Sequence, residues 1–131
     1  MIAIILWWFR PSNSSARRRA LLHITVGEFW NTCTRPLARN GYGLSPREAD
    51  RRAGLFEDKL RFLPDGLAVH QEWRRLLVTH NVSGVQVHDA RLVAAMRVHG
   101  VKRILTFNEK DFARYPDIEA LHPRSMSVKG P

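Results

Sequence analysis

An α/β domain with a mostly parallel sheet is the fold class this sequence predicts. Three observations carry it. Short apolar runs alternate with amphipathic helical stretches along the chain. The 131 residues are 44% hydrophobic, which suits one packed core and leaves little room for a second domain. No internal repeat or low-complexity tract breaks the alternation.

The elements follow in order. Met1–Phe9 is apolar and isoleucine-rich, as a buried strand requires. It is too short to span a bilayer, which takes about 20 residues. Its positive charges, Arg10 and Arg17 to Arg19, follow the apolar run, whereas a secretory leader carries them in front. The expected location is therefore the cytoplasm, with no membrane partner. Arg10–Arg19 reads as a loop. Ala20–Val26 reads as a second strand or a helix start. Within Gly27–Cys33, Glu28 and Thr32 share a face if the segment is helical.

Arg35–Leu44 is a loop rich in proline, asparagine and glycine. Ser45-Pro46-Arg47-Glu48 predicts a helix start, with Ser45 as cap and Glu48 completing a capping box. Ala49, Ala53, Phe56 and Leu60 recur at helical spacing behind it. Phe62-Leu63 before Pro64 is a short strand. Asp65 caps a second helix with Val69, Trp73, Leu76 and Leu77 on its apolar face. Asn81–Gly84 is a loop, His88 to His99 a third helix, and Gly100 a left-handed residue past its end. Val101–Phe107 is a strand, Asn108–Tyr115 a turn, and Ile118–Leu121 a last strand. The tail after Pro123 is expected to be disordered.

Charge and composition narrow the function. Lysine and arginine number 21 against 12 acids, a net charge of +9. Such a surface attracts polyanions over a Debye length of about 8 Å, nucleic acid first and an acidic protein next. The lone Cys33 excludes an internal disulfide and a cysteine-built zinc site. Glycine-rich phosphate loops, H-E-x-x-H and G-x-S-x-G are all absent.

What remains is three acids. Asp89 opens the third predicted helix, and Asp111 follows the end of a strand. Parallel α/β folds place their sites where strand ends meet helix starts. Carboxylates gathered there need a cation or a proton between them. Mg²⁺ or Mn²⁺, with its preference for oxygen ligands, can activate water against a phosphodiester. Each acid also has a plain structural reading. Asp89 can cap a helix, Asp111 can make an Asx turn, and Glu28 can be a solvated surface residue. His88 can be a proton shuttle or a packed histidine.

Three blocks then resemble one family. They are Glu28-Phe29-Trp30-Asn31-Thr32-Cys33-Thr34-Arg35-Pro36, Gln86-Val87-His88-Asp89-Ala90-Arg91-Leu92-Val93-Ala94-Ala95-Met96, and Leu105-Thr106-Phe107-Asn108-Glu109-Lys110-Asp111-Phe112. In order and spacing they are similar to the PIN-domain family, in particular the VapC-type toxins of bacterial toxin–antitoxin pairs. The resemblance runs from about Ile24 to about Pro123. It implies a three-layer α/β/α domain over residues 1–123, with a mostly parallel sheet of about five strands and a tail at 124–131. It also implies a Mg²⁺- or Mn²⁺-dependent ribonuclease. Glu28, Asp89 and Asp111 are its implied catalytic and metal residues, and Thr106 and Asn108 flank them. The implied partners are an RNA substrate, an antitoxin protein and a second copy of the chain.

One departure stands out. The family's first strand ends in an aspartate, whereas the first acid of this chain is Glu28. Residues 1–23 are thus an atypical N-terminal segment. The alternative reading is a catalytically inactive relic that still binds RNA or an antitoxin.

Overall fold

A computed structural model of the chain describes residues 20–126. The strand expected at Met1–Phe9 and the loop at Arg10–Arg19 lie outside the described residues. Ala20–Val26 resolves into both of its readings. Strand β1 covers Ala20–Leu22, and helix α1, His23–Thr34, follows directly. The helix stops because Pro36 disfavours helical backbone at Arg35. Its last turns are tied by threonine hydroxyls, Thr32 to the Glu28 carbonyl at 3.0 Å and Thr34 to the Trp30 carbonyl at 2.9 Å. The loop beyond holds a short 3-10 turn, Leu37–Arg39. Only glycine fits at Gly41, where a Cβ would lie 1.9 Å from the Arg35 carbonyl oxygen.

Helix α2, Pro46–Glu57, begins as its sequence predicts, with the Ser45 hydroxyl accepting from the Glu48 amide at 3.2 Å. The capping box is only half made. The Glu48 carboxylate turns to Arg51 and Arg52, which hold its pKa down at about 2. A charge-assisted pair outcompetes a bond to a backbone amide. Ala49 and Ala53 are buried, while Phe56 is half exposed and meets Phe29 edge-on at 5.2 Å. Strand β2, Arg61–Leu63, pairs in parallel with β1, Leu22 opposite Leu63.

Helix α3, Leu67–Thr79, takes Gly66 as its cap. The expected cap, Asp65, instead binds Arg91 through both carboxylate oxygens, at 2.9 and 3.1 Å. That partner lies 26 residues away, and a bidentate guanidinium pair is stronger than a cap. Helix α4, Gln86–Val98, starts two residues before the expected His88. Its middle, Asp89 to Met96 apart from Arg91, is buried, as a helix walled in by neighbours must be. Gly100 adopts φ +70°, and the Val101 amide reaches back to the Met96 carbonyl at 2.8 Å. This Schellman closure keeps Val101 with the helix. Strand β3 is consequently only Arg103–Leu105, shorter than the predicted Val101–Phe107.

A 3-10 segment, Glu109–Phe112, leads from β3 to strand β4, Glu119–Leu121, which pairs in parallel with β3. Pro123–Met126 forms a further 3-10 turn at the start of the expected tail, and residues 127–131 lie outside the described residues. The core gathers Leu63, Val69, Leu76, Val93, Met96 and Ile104 with Phe112, Tyr115 and Ile118. The class is α/β with parallel pairing, as predicted. Among the described residues there are four strands in two separate pairs, β1–β2 and β3–β4, in place of one sheet of about five. No helix of the described residues is long and apolar enough to cross a membrane.

Candidate active site

Three elements deliver the acids. Glu28 is exposed on α1, one and a half turns beyond the end of β1. Asp89 lies in the first turns of α4. Asp111 lies in the 3-10 segment that leaves the C-terminal end of β3. Strand exits and a helix start thus converge, as parallel α/β chemistry requires.

The structure removes the capping reading of Asp89. The cap of α4 is Val85, so Asp89 sits inside the helix and caps nothing. It is 5% exposed, and among the described residues its carboxylate has neither hydrogen bond nor ion pair. Burial raises its pKa to about 6, the field of Asp111 adds to the rise, and Glu28 contributes further. His88 and Arg114 pull the other way. Asp89 thus lies within electrostatic reach of both Asp111 and Glu28.

Among the described residues Asp89 is the one buried acid, and no arginine pairs with it. Glu48, Asp65, Glu72, Asp117 and Glu119 all engage arginines. With arginine so abundant, a buried carboxylate without a cation is an open electrostatic position.

The flanking residues divide their work. Thr106 is buried, and its hydroxyl accepts from the Asn108 amide at 3.0 Å. The Asn108 carbonyl accepts from the Asp111 amide at 3.1 Å. Both therefore shape the turn that presents Asp111. Thr25, one turn before Glu28, carries a buried hydroxyl with no hydrogen-bond partner among the described residues. Sequence reasoning did not single out Gln86 and Arg114, whose side chains hydrogen-bond to each other beside Asp89. Spacing held the only signal: Gln86 precedes Asp89 by three residues, and Arg114 follows Asp111 by three.

The donor set is all oxygen, which suits a hard divalent cation. Among the described residues no three Asp, Glu, His or Cys side chains form a ready metal cage. Mg²⁺ is commonly held by one or two carboxylates together with water and substrate phosphate, and at that level the buried, unpaired Asp89 fits it.

Comparison with known proteins identifies a family. A family model described as PIN domain matches residues 3–118. No curated protein and no solved structure gives a match.

Proposed function

The chain belongs to the PIN-domain family, generally a metal-dependent nuclease fold, and from that premise we propose that it is a Mg²⁺- or Mn²⁺-dependent endoribonuclease, the toxin of a toxin–antitoxin pair. The observation that carries the reading is Asp89, a buried carboxylate raised to about 6 with no cation of its own. Asp89 and Asp111 would hold the ion, which polarises the phosphodiester and lowers the pKa of water. Glu28, the exposed acid of the three, would orient the attacking water. Hydrolysis joins the water oxygen to phosphorus and breaks one P–O ester bond, and a proton passes to the leaving oxygen. Thr106 and Asn108 keep Asp111 in place through their turn. The +9 charge favours an RNA substrate over a neutral one. The antitoxin and a homodimer follow from the family alone.

The test is incubation of the protein with a labelled structured RNA, with and without Mn²⁺, beside the Asp89→Asn variant. Metal-dependent cleavage that falls about 100-fold or more in the variant is the expected result. Equal cleavage by both proteins removes Asp89 from the chemistry.

A second reading is a binding protein without turnover. It is favoured by the lack of any acid before Glu28 and of a three-residue metal cage among the described residues. RNA retained but never cut by the folded parent would select it.

A further inference from the structure

Arg114 stands in the turn that leaves the 3-10 segment, three residues beyond Asp111. Its guanidinium donates to the Gln86 side-chain oxygen. Gln86 is the first residue of α4, and its spacing of three from Asp89 puts both on one helix face. Arg114 is thereby tied to the same rim as the acids, and its charge acts on Asp89.

The choice of tether matters. Arg51, Arg52, Arg75, Arg91, Arg97 and Arg103 each donate to a carboxylate, which cancels their charge. Arg114 is held by a neutral amide, with no carboxylate partner among the described residues. Gln86 fixes its direction and leaves its charge intact. A guanidinium carries five donors, so most remain available. A planar fork of N–H groups matches two phosphate oxygens.

The site needs such a group. An RNA phosphate is an anion, and Glu28, Asp89 and Asp111 repel it. A cation anchored on the rim offsets that repulsion and gives the phosphate one orientation. We propose that Arg114, held by Gln86 beside the acid cluster, is a positioning residue that binds an RNA phosphate next to Asp89. Its substrate class rests on the nuclease reading.

Two readouts on one fluorescein-labelled structured RNA test it. The first is binding in Ca²⁺ over a salt series, and the second is single-turnover cleavage in Mn²⁺. Arg114→Met should weaken binding about tenfold and lower the salt slope by about one. It should slow cleavage about 100-fold without lowering the melting temperature. Arg114→Lys should restore the salt slope and only part of the rate, since a point charge replaces the fork. Arg74→Met, at an exposed arginine of α3, controls for general loss of charge and should change binding less than about twofold. Wild-type affinity and salt slope in Arg114→Met overturn the proposal. So does an equal loss of slope in Arg114→Lys with a lowered melting temperature, which assigns Arg114 to packing. If the parent protein cuts no RNA in Mn²⁺, the nuclease reading fails by itself, and the binding arm alone decides on Arg114.

Discussion

Burial is the main reason the Asp89 carboxyl titrates near 6, and the like charges of Asp111 and Glu28 push in the same direction. A carboxyl raised on folding makes the native state bind more protons than the unfolded chain. The Asp89 contribution to stability therefore falls as pH rises from about 4 through about 6 and levels off above, while the lowered carboxyls of Glu48, Glu72 and Asp117 act in the opposite sense at lower pH. The gap from the ordinary aspartate value amounts to about 3 kcal/mol at pH 8. Asp89→Asn removes the charge and keeps the shape. In metal-free protein it should stabilise by up to about 3 kcal/mol at pH 8, and by nothing near pH 3. Urea unfolding at both pH values measures this, and a variant less stable than the parent at pH 8 refutes it. The sequence alone brought Asp89 and Asp111 to one edge of the fold but left Asp89 open between cap and site residue. Local rules make an aspartate near a helix start a cap, and only the position of Val85 shows that it caps nothing. The coupling to Asp111 joins residues 22 apart in the chain, and it was legible only through the topology that brings strand exits and helix starts together.

At the scale of elements, α4 is tied to α3 and to the loops around it by a few directional bonds. The Trp73 indole donates to the Val87 carbonyl at 2.7 Å, at the turn that carries Asp89. The Arg91 guanidinium lies 5.4 Å from the Trp73 ring centre while it grips Asp65. At the far end of α4, Arg97 holds Asp117 at 2.7 and 2.8 Å, and His99 meets the Pro64 carbonyl at 2.8 Å. Trp73→Phe keeps an aromatic ring in the packing and deletes the bond to Val87. It should cost about 1–2 kcal/mol in unfolding free energy. It should also slow RNA cleavage, because the first turn of α4 is no longer pinned. Cleavage at the parent rate despite lower stability would show that the pin serves folding only. Elements such as α2 were legible because their signals are local: Ser45, Pro46 and the spacing of Ala49 and Ala53 act within one helix. Asp65 misled for the opposite reason. Its partner, Arg91, comes from another helix, and a long-range ion pair overrides a local cap preference. The start of α4 was missed because Val85 and Gln86 carry no capping signal.

For the whole molecule, the distribution of charge matters more than its sum. A chain at +9 has cations to spare, yet among the described residues Glu28, Asp89 and Asp111 are left out of every ion pair. Arginines engage Glu48, Asp65, Glu72, Asp117 and Glu119, and several exposed acids stay in solvent, whereas Asp89 is the one acid among the described residues that is both buried and without an arginine. The folded protein thus carries an electrostatic penalty at one place, and on the proposed reading a divalent ion would relieve it. A ligand that binds only the native state stabilises it by about 2.7 kcal/mol at about one hundred times its Kd. Asp89 must lose its proton to act as a ligand, so protons and metal compete for it. Mn²⁺ should therefore raise the melting temperature at pH 8 by several degrees, and the rise should shrink as pH falls through about 6. Asp89→Asn should lose most of the metal-induced rise at every pH, although its metal-free form starts from a higher melting temperature. Scanning fluorimetry of both proteins in EDTA and in Mn²⁺, at pH 5 and pH 8, separates these effects. Equal metal-induced shifts in parent and variant would place the ion elsewhere on the molecule. A shift confined to the parent, and larger at pH 8, ties the penalty to the function, because the carboxylate that weakens the empty fold is the one that binds the ion.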